Sequence, residues 1–336
     1  MSPDRTSEVP KMRRREFVAL VGGSLAVLPI AAHAQQHKVA HIGYLMDRSG
    51  PPGVLDQGFF EGLREHGYVL GQNVEIEYRW TEGKTERLLA LARELVASKV
   101  DIIVVAGADS TKAAKQATTT IPIVMASSQD AVGDGLVASL AHPGGNVTGR
   151  SVYAPELTSK RIEILKEMFP ALTRLGVLWN KDNVGAAGQL QEARTAGQAL
   201  GISIESLPAQ IPEGLDEVMA RAEQLGAGAI LIVSDSSTIG NRAKIGGSAL
   251  QHHLPTIFAN KAYLSGGGLM SYGPDIVESF RLAVIHVDKI LKGASPASLP
   301  VEQPTKFEYV INMKTAKALE IAISPALVAR ADEVIE

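Results

Sequence analysis

The chain has 336 residues, 45% of them hydrophobic, and its 33 Lys and Arg against 36 Asp and Glu give a formal net charge of −3. That mildly acidic balance supplies no basic field for nucleic acid or an anionic membrane surface. Cysteine is absent, which excludes disulfides, zinc–thiolate sites, a Cys nucleophile and the lipid anchor that some exported proteins carry on a Cys.

The first segment in chain order is RRREFVALVGG, residues 13–23. Behind its arginines, Phe17 to Ala32 is uncharged for sixteen residues, then the chain closes on Ala32-His33-Ala34. A membrane-spanning helix needs roughly 20 apolar residues, and this stretch also holds Gly22, Gly23 and Pro29. A basic, then apolar, then small-x-small layout is that of a cleaved secretory signal. Residues 1–34 are therefore expected to be a signal peptide cut after Ala34, placing the mature protein in the periplasm. Arg14-Arg15-Glu16-Phe17-Val18 resembles the twin-arginine export motif. Arg13 stands where Ser or Thr is usual, so the general secretory route stays open, and Met12 is an alternative start. The removed segment holds five Lys/Arg and three Asp/Glu, leaving a net charge of −5.

Beyond the signal, runs rich in Val and Ile alternate with helical patterns, which predicts parallel sheets covered by helices. The first series of strands is VAHIGYL (39–45), NVEIEYRW (73–80), DIIVVAG (101–107) and IPIVMAS (121–127). Helical spacing between them turns Leu55, Phe59, Leu63 and His66 inward on one helix, and Leu88, Leu91, Leu95 and Val96 on another. The same order then returns as RLGVLWN (174–180), ISIESLPA (202–209), GAILIVSD (228–235) and LPTIFAN (254–260). Gly67 and Gly201 occupy matching helix ends. "DIIVVAGADST" is answered by "GAILIVSDSST". Two copies of one unit predict two similar doubly wound α/β lobes.

Three glycine- or proline-rich crossings join them: HPGGNVTGRSV (142–152), SGGGLMSYGPD (265–275) and LPVEQPTKFEYVINM (299–313). A long helix is expected over 276–291. The expected division is lobe 1 at 38–148 and 273–299, and lobe 2 at 149–272 and 300–336. Open α/β sheets bind ligands beyond the carboxyl ends of their strands, so the two binding edges should face each other across a cleft.

Several stretches carry a resemblance over nearly the whole chain: "RRREFVALVGG…AHAQQ", "TTTIPIVMASS", "GLVASLAHPGGNVTG", "GGGLMSYG", "LPVEQPTKFEYVINMKTAKAL" and "ALVARADEVIE". The chain resembles the ABC-transporter substrate-binding proteins related to tryptophan- and phenylalanine-binding proteins, which are type I periplasmic binding proteins. That resemblance implies capture of a small solute, delivery to an inner-membrane ABC permease, and no cofactor. Departures are also visible. The family commonly has Asp-Pro-Val where this chain has Asp130-Ala131-Val132, and a Thr-Pro-Ser-like turn where it has Asp109-Ser110-Thr111. Asp47 and Arg48 replace small polar residues in the first loop.

Candidate ligand contacts lie where strands run into helix starts, since free amides and the helix dipole there favour anions. Ser110 and Thr111 in lobe 1, and Ser234 and Asp235 with Ser236 and Ser237 in lobe 2, are either ligand contacts or ordinary N-caps. Asp130 and Asp235 suit a ligand ammonium, and Asn180 suits a group that both donates and accepts. Tyr263 and Tyr272 either cover an apolar ligand portion or pack half-buried. Asp47 either meets the ligand, pairs with Arg48 or faces water. Trp179 is expected in the core. No phosphate loop, nucleophile elbow, S-x-x-K or H-E-x-x-H motif occurs, and no metal or catalytic residues are assigned. Gly133-Asp-Gly135-Leu-Val-Ala138 fits a dinucleotide fingerprint only on paper, being displaced from its strand. The expected function is a monomeric periplasmic solute-binding protein that closes by a hinge over an amino acid or similar small carboxylate. The alternatives are an exported sensing subunit for a membrane receptor, or an exported enzyme on the same fold.

Overall fold

The structure is a computed structural model, and the described residues are 39–48, 50, 53–152, 156–183 and 186–336. The expected signal segment lies outside them. Lobe 1 comprises β1 (Ala40–Met46), α1 (Val54–Glu65), β2 (Val74–Trp80), α2 (Leu88–Ala97), β3 (Ile102–Ala106), α3 (Ala108–Ala117), β4 (Ile123–Ser128) and β5 (Val147–Ser151). The chain continues with α4 (Glu156–Met168), β6 (Arg174–Asn180), α5 (Ala186–Leu200), β7 (Ser203–Ala209), α6 (Leu215–Gln224), β8 (Ala229–Ile232), α7 (Ser236–Gly240), α8 (Arg242–Gln251), β9 (Thr256–Phe258) and β10 (Met270–Gly273). It ends with α9 (Ile276–Leu291), β11 (Glu308–Asn312), α10 (Met313–Ala318), α11 (Pro325–Arg330) and β12 (Glu333–Ile335).

The strands form two sheets, ordered β2-β1-β3-β4-β5 and β12-β11-β10-β9-β8-β6-β7. Apolar side chains on both strand faces explain why each sheet is wrapped on two sides. In β3, Ile102 and Val104 join the cluster containing Phe59, Leu63, Phe280 and Val284. Their neighbours Ile103 and Val105 join Leu91, Leu95, Ile123 and Met125 on the opposite face. β8 repeats the device, with Leu231 in one core and Ile230 and Ile232 in the other. Alternation at period two therefore builds four half-cores from two sheets.

α9 follows β10 of the second sheet but packs in lobe 1. A Cβ at Gly58 or Gly62 of α1 would overlap the backbone carbonyl of Val277 or Arg281, so these glycines let the two helices approach closely. Gly67 and Gly201 both take positive φ, at 79° and 66°, and end their helices as the sequence predicts. After each, a backbone N–H reaches back to the last helical turn, from Tyr68 to Leu63 O and from Ile202 to Gly197 O.

Three details differ from the sequence reading. His66 is exposed and caps α1, with Nδ1 2.8 Å from Gly62 O, because the helix ends before that residue can turn inward. β5 continues pairing with β4 as far as Ser151, beyond the crossing point expected at 148. The second sheet is not wholly parallel, since β10 and β11 run antiparallel. β10 leaves lobe 2 for α9 and β11 re-enters it, so the two strands pass the same edge in opposite directions.

The first and third crossings lie side by side. Ser151 N donates to Glu302 O, Glu302 N to Gly149 O, and Thr148 Oγ1 to Leu299 O. Arg150, nearly buried, adds a 3.0 Å ion pair to Glu302. At the second crossing, Arg161 Nε donates to Tyr272 O at 2.7 Å, and Lys261 bridges Asp275, Glu308 and Glu333.

Candidate functional site

Strand ends of both lobes gather the polar side chains. Beyond β1, Asp47 accepts from Thr81 Oγ1 at 2.7 Å and from Thr85 Oγ1 at 2.9 Å. It does not pair with Arg48. The Arg48 guanidinium turns to the fully buried Asp56, 2.6 Å away, and lies 4.9 Å from the Trp80 ring centroid. Asp56 is further held by Tyr44 Oη and Gly53 N, so this arginine neutralises an interior carboxylate.

β3 runs through Gly107, at φ 83°, directly into α3. Gly107 has no side chain to cap the helix. Thr111 Oγ1 turns back onto Gly107 O at 2.7 Å, a local backbone bond that occupies its proton. Ser110 is 1% exposed and its Oγ has no hydrogen-bond partner. Ser128, at the end of β4, is in the same state. A buried hydroxyl without a partner costs free energy and is a group for which a ligand atom compensates. Asp130 follows, its Oδ1 accepting from Gly133 N at 2.8 Å in a tight turn that leaves the carboxylate half-buried.

In lobe 2 the helix-capping alternative describes Asp235. Its Oδ1 accepts from Thr238 N at 2.7 Å, while Thr238 Oγ1 receives Asp235 N, which closes a capping box at α7. Asn183 Nδ2 donates to the other oxygen at 3.1 Å. Burial pushes this carboxyl above its ordinary range, against the downward pull of bonds from Thr238, Asn180 and Asn183. Asn180 thus serves as a partner of Asp235, and its Oδ1 also accepts from Asp182 N. Ser234 and Tyr263 share a buried hydrogen bond of 2.9 Å.

The two tyrosines differ. Tyr263 is 0% exposed, stacks on Phe258 with centroids 4.8 Å apart, and bonds Ser234 and Thr238 through its hydroxyl. Burial holds that hydroxyl well above its ordinary range. The structure places it in the lobe 2 core, with no face left to cover a ligand. A Tyr at helical spacing after a strand carries no sign of which side it faces. Tyr272 is half-buried, packed against the core and 6.3 Å from the Phe307 ring. Trp179 is half-buried, its Nε1 donating to Ser206 Oγ at 3.0 Å.

Several acids near these strand ends act on one another's titration. Asp109 is exposed at the start of α3. Its carboxyl is raised by burial of its surroundings and by Asp47 and Asp235, while Lys112 opposes the shift. Asp134 is raised by burial, Asp130 and Asp109, again opposed by Lys112. Glu192 of α5 is pushed up to about 7 by burial and then by Asp130. Of these, Asp109, Asp134 and Glu192 are absent from the residues singled out in the sequence as ligand contacts. Asp109 adjoined a chosen serine, whereas nothing in a helix pattern marks Glu192. A separate hollow of about 310 Å³ lies at the start of β5, lined by Lys115, Leu136, Pro143 and Asn146. Its Lys115 is already bonded to Gly135 O and Leu136 O.

With two α/β lobes and their polar strand ends described, the comparisons with known proteins place the chain. Residues 53–335 match the model of the ABC transporter substrate binding protein family. The chain belongs to that family. It is 26% identical over 269 residues to a tyrosine-binding protein of Clostridioides difficile, covering 79% of this chain and 76% of that one. Among solved structures, it is similar to an ABC domain in complex with L-Trp from Streptococcus pneumoniae, with 27% identity and a TM-score of 0.79 over 88% of this chain and 100% of that one. A leucine-binding protein of Thermotoga maritima, at 14% identity and a TM-score of 0.58, shares the fold, covering 84% of this chain and 87% of that one. The protein is thus a substrate-binding protein of the type I periplasmic fold, a class that binds small ligands.

Two outcomes are expected from this geometry. Tyr263→Phe should cost about 1–2 kcal/mol in urea unfolding by stranding Ser234 Oγ, while leaving ligand affinity unchanged; a tenfold loss of affinity at unaltered stability would place the ring in the cleft instead. The second concerns pH. A carboxyl whose folded-state value exceeds its unfolded one favours the fold below the unfolded value, and that contribution disappears as pH rises through the folded one. Glu192, raised to about 7, fits this case. Glu192→Gln should therefore match the parent in melting temperature at about pH 4, below the ordinary carboxyl value, and exceed it at about pH 8, as read by calorimetry.

Proposed function

We propose that the protein is the periplasmic solute-binding component of an ABC importer, and that it captures an amino acid or a comparable small carboxylate between its lobes. The observation that carries this reading is the pair of buried hydroxyls, Ser110 Oγ and Ser128 Oγ, that stand without hydrogen-bond partners at the carboxyl ends of β3 and β4, the edge at which open α/β sheets take their ligands. Ser110, Ser128 and Asp130 contribute from lobe 1, and Asn180 and Asp235 from lobe 2. Asp47 and Tyr272 stand at the periphery, and Ser234 and Thr111 support the site through backbone and core bonds.

Closure would be a rigid-body hinge at the three crossings, driven by the ligand's better contacts in the closed state. The side-by-side bonding of 148–151 with 299–302 gives that hinge an axis. An inner-membrane permease then takes the solute from the closed form, and the solute leaves chemically unchanged. The export signal expected at 1–34 and the tyrosine and tryptophan ligands of the relatives support the reading.

Native mass spectrometry of protein isolated from its own periplasm should show one retained small molecule. Adding that molecule at about 100 times its dissociation constant should raise stability by about 2.7 kcal/mol, a melting shift of about 5 °C. A panel of amino acids and small carboxylates that yields no retained species and no shift contradicts the proposal.

A further inference from the structure

Among the described residues two arginines are buried, and their surroundings differ. Arg150, 4% exposed, pairs with Glu302 at 3.0 Å. Arg161, 6% exposed, pairs with no carboxylate among the described residues. It lies on the face of α4 that also carries Leu157, Thr158, Ile162 and Leu165, all buried, so helical spacing turns its guanidinium into lobe 2. Burial lowers its pKa to about 10, which still leaves it cationic at neutral pH. A cation taken out of water is costly unless an anion compensates it.

The place of this cation follows from backbone geometry. Its Nε donates to Tyr272 O at 2.7 Å. Tyr272 and Gly273 close β10, and Ala259 follows β9, which runs parallel to β10. A Cβ on Gly273 would stand 1.9 Å from Ala259 O and 3.2 Å from Arg161 Nη2. The guanidinium fork therefore lies at the carboxyl ends of β9 and β10, the edge at which open α/β sheets take ligands. Nη1 and Nη2 donate to no described residue. Neither is sealed from solvent without a partner, the state of Arg48 Nη2 and Arg150 Nε, so the small opening of Arg161 includes its fork. A stitch from α4 to β10 requires only the Nε donor. Two parallel N–H groups on a desolvated cation match the two oxygens of one carboxylate.

We infer that Arg161 is the anion anchor of lobe 2, and that its Nη1 and Nη2 receive the carboxylate of the solute as a bidentate pair. The inference rests on the solute-binding reading above and deepens it by giving the carboxylate one residue of this chain. Binding then compensates a buried charge that the protein's own acids leave unpaired, and the pair forms where water screens it little. In sequence the residue is inconspicuous, because Lys160-Arg161 in ELTSKRIEILKEM suits the wet face of an ordinary amphipathic helix.

Calorimetric titration of the mature protein with L-tyrosine, L-leucine, L-lysine and benzoate, beside tyramine, isopentylamine, cadaverine and benzamide, tests it. Each member of the second set keeps the side group of its counterpart and lacks the carboxylate. At least one carboxylate should bind about thirtyfold or more tightly than its counterpart. Arg161→Gln, which retains a donor for Tyr272 O, should weaken that carboxylate about thirtyfold and preserve the melting temperature of the free protein. Arg161→Lys, which keeps the charge and loses the fork, should weaken it about tenfold and carries the test if the glutamine variant does not fold. Carboxylate binding that neither substitution weakens overturns the inference and leaves the solute-binding reading standing. So does a weakening that tracks a fall in melting temperature, or that strikes a carboxylate and its counterpart by the same factor, since either marks a structural role. Tighter binding of an amine or the amide than of every carboxylate overturns the inference as well, and no binding by any probe rejects both.

Discussion

Parallel strands can pass into helices only at their carboxyl ends, so each sheet of this protein delivers its loops and helix starts to one edge. That constraint decides where its chemistry can be. Asp47, Asp109, Ser128 and Asp130 come to the edge of lobe 1, and Asn180 and Asp235 to that of lobe 2. Everything else in the fold serves to hold these edges or to let them approach. The four half-cores keep each sheet rigid, while α9 is locked to lobe 1 through the glycines of α1.

The crossings combine backbone bonding with charge. Arg150 is nearly buried and pairs with the more exposed Glu302, an arrangement in which the backbone bonds between Ser151, Glu302 and Gly149 carry the register. Loss of either charged partner would leave the other poorly solvated. An interior acid, Asp56, receives a dedicated arginine in Arg48.

Much of this architecture was legible in the sequence because it depends on local pattern. Continuous Val- and Ile-rich runs such as DIIVVAG and RLGVLWN mark strands buried on both faces, and Gly67 and Gly201 mark helix ends whose backbone requires positive φ. The duplicated order then implies two lobes. What escaped depends on distance in space. The antiparallel β11 follows from where the chain re-enters lobe 2. Tyr263 resembles a cleft residue in sequence but sits under Ser234 and Thr238. Asp235 reads equally well as a cap or a contact, and the capping box shows the first role directly. Glu192 lies on α5, and its titration by Asp130 depends on a nearness in space that no spacing along the chain reveals.

The central claim is that the two lobes close over a small solute about their crossings. The chain has no cysteine, so cysteines introduced at the exposed positions Val132 and Gln191, beside Asp130 and Glu192, can carry a pair of spin labels without competing sites. Pulsed dipolar spectroscopy should then give a shorter and narrower distance distribution when a compound that binds in calorimetry is present at saturation. An identical distribution with and without that compound would contradict the account.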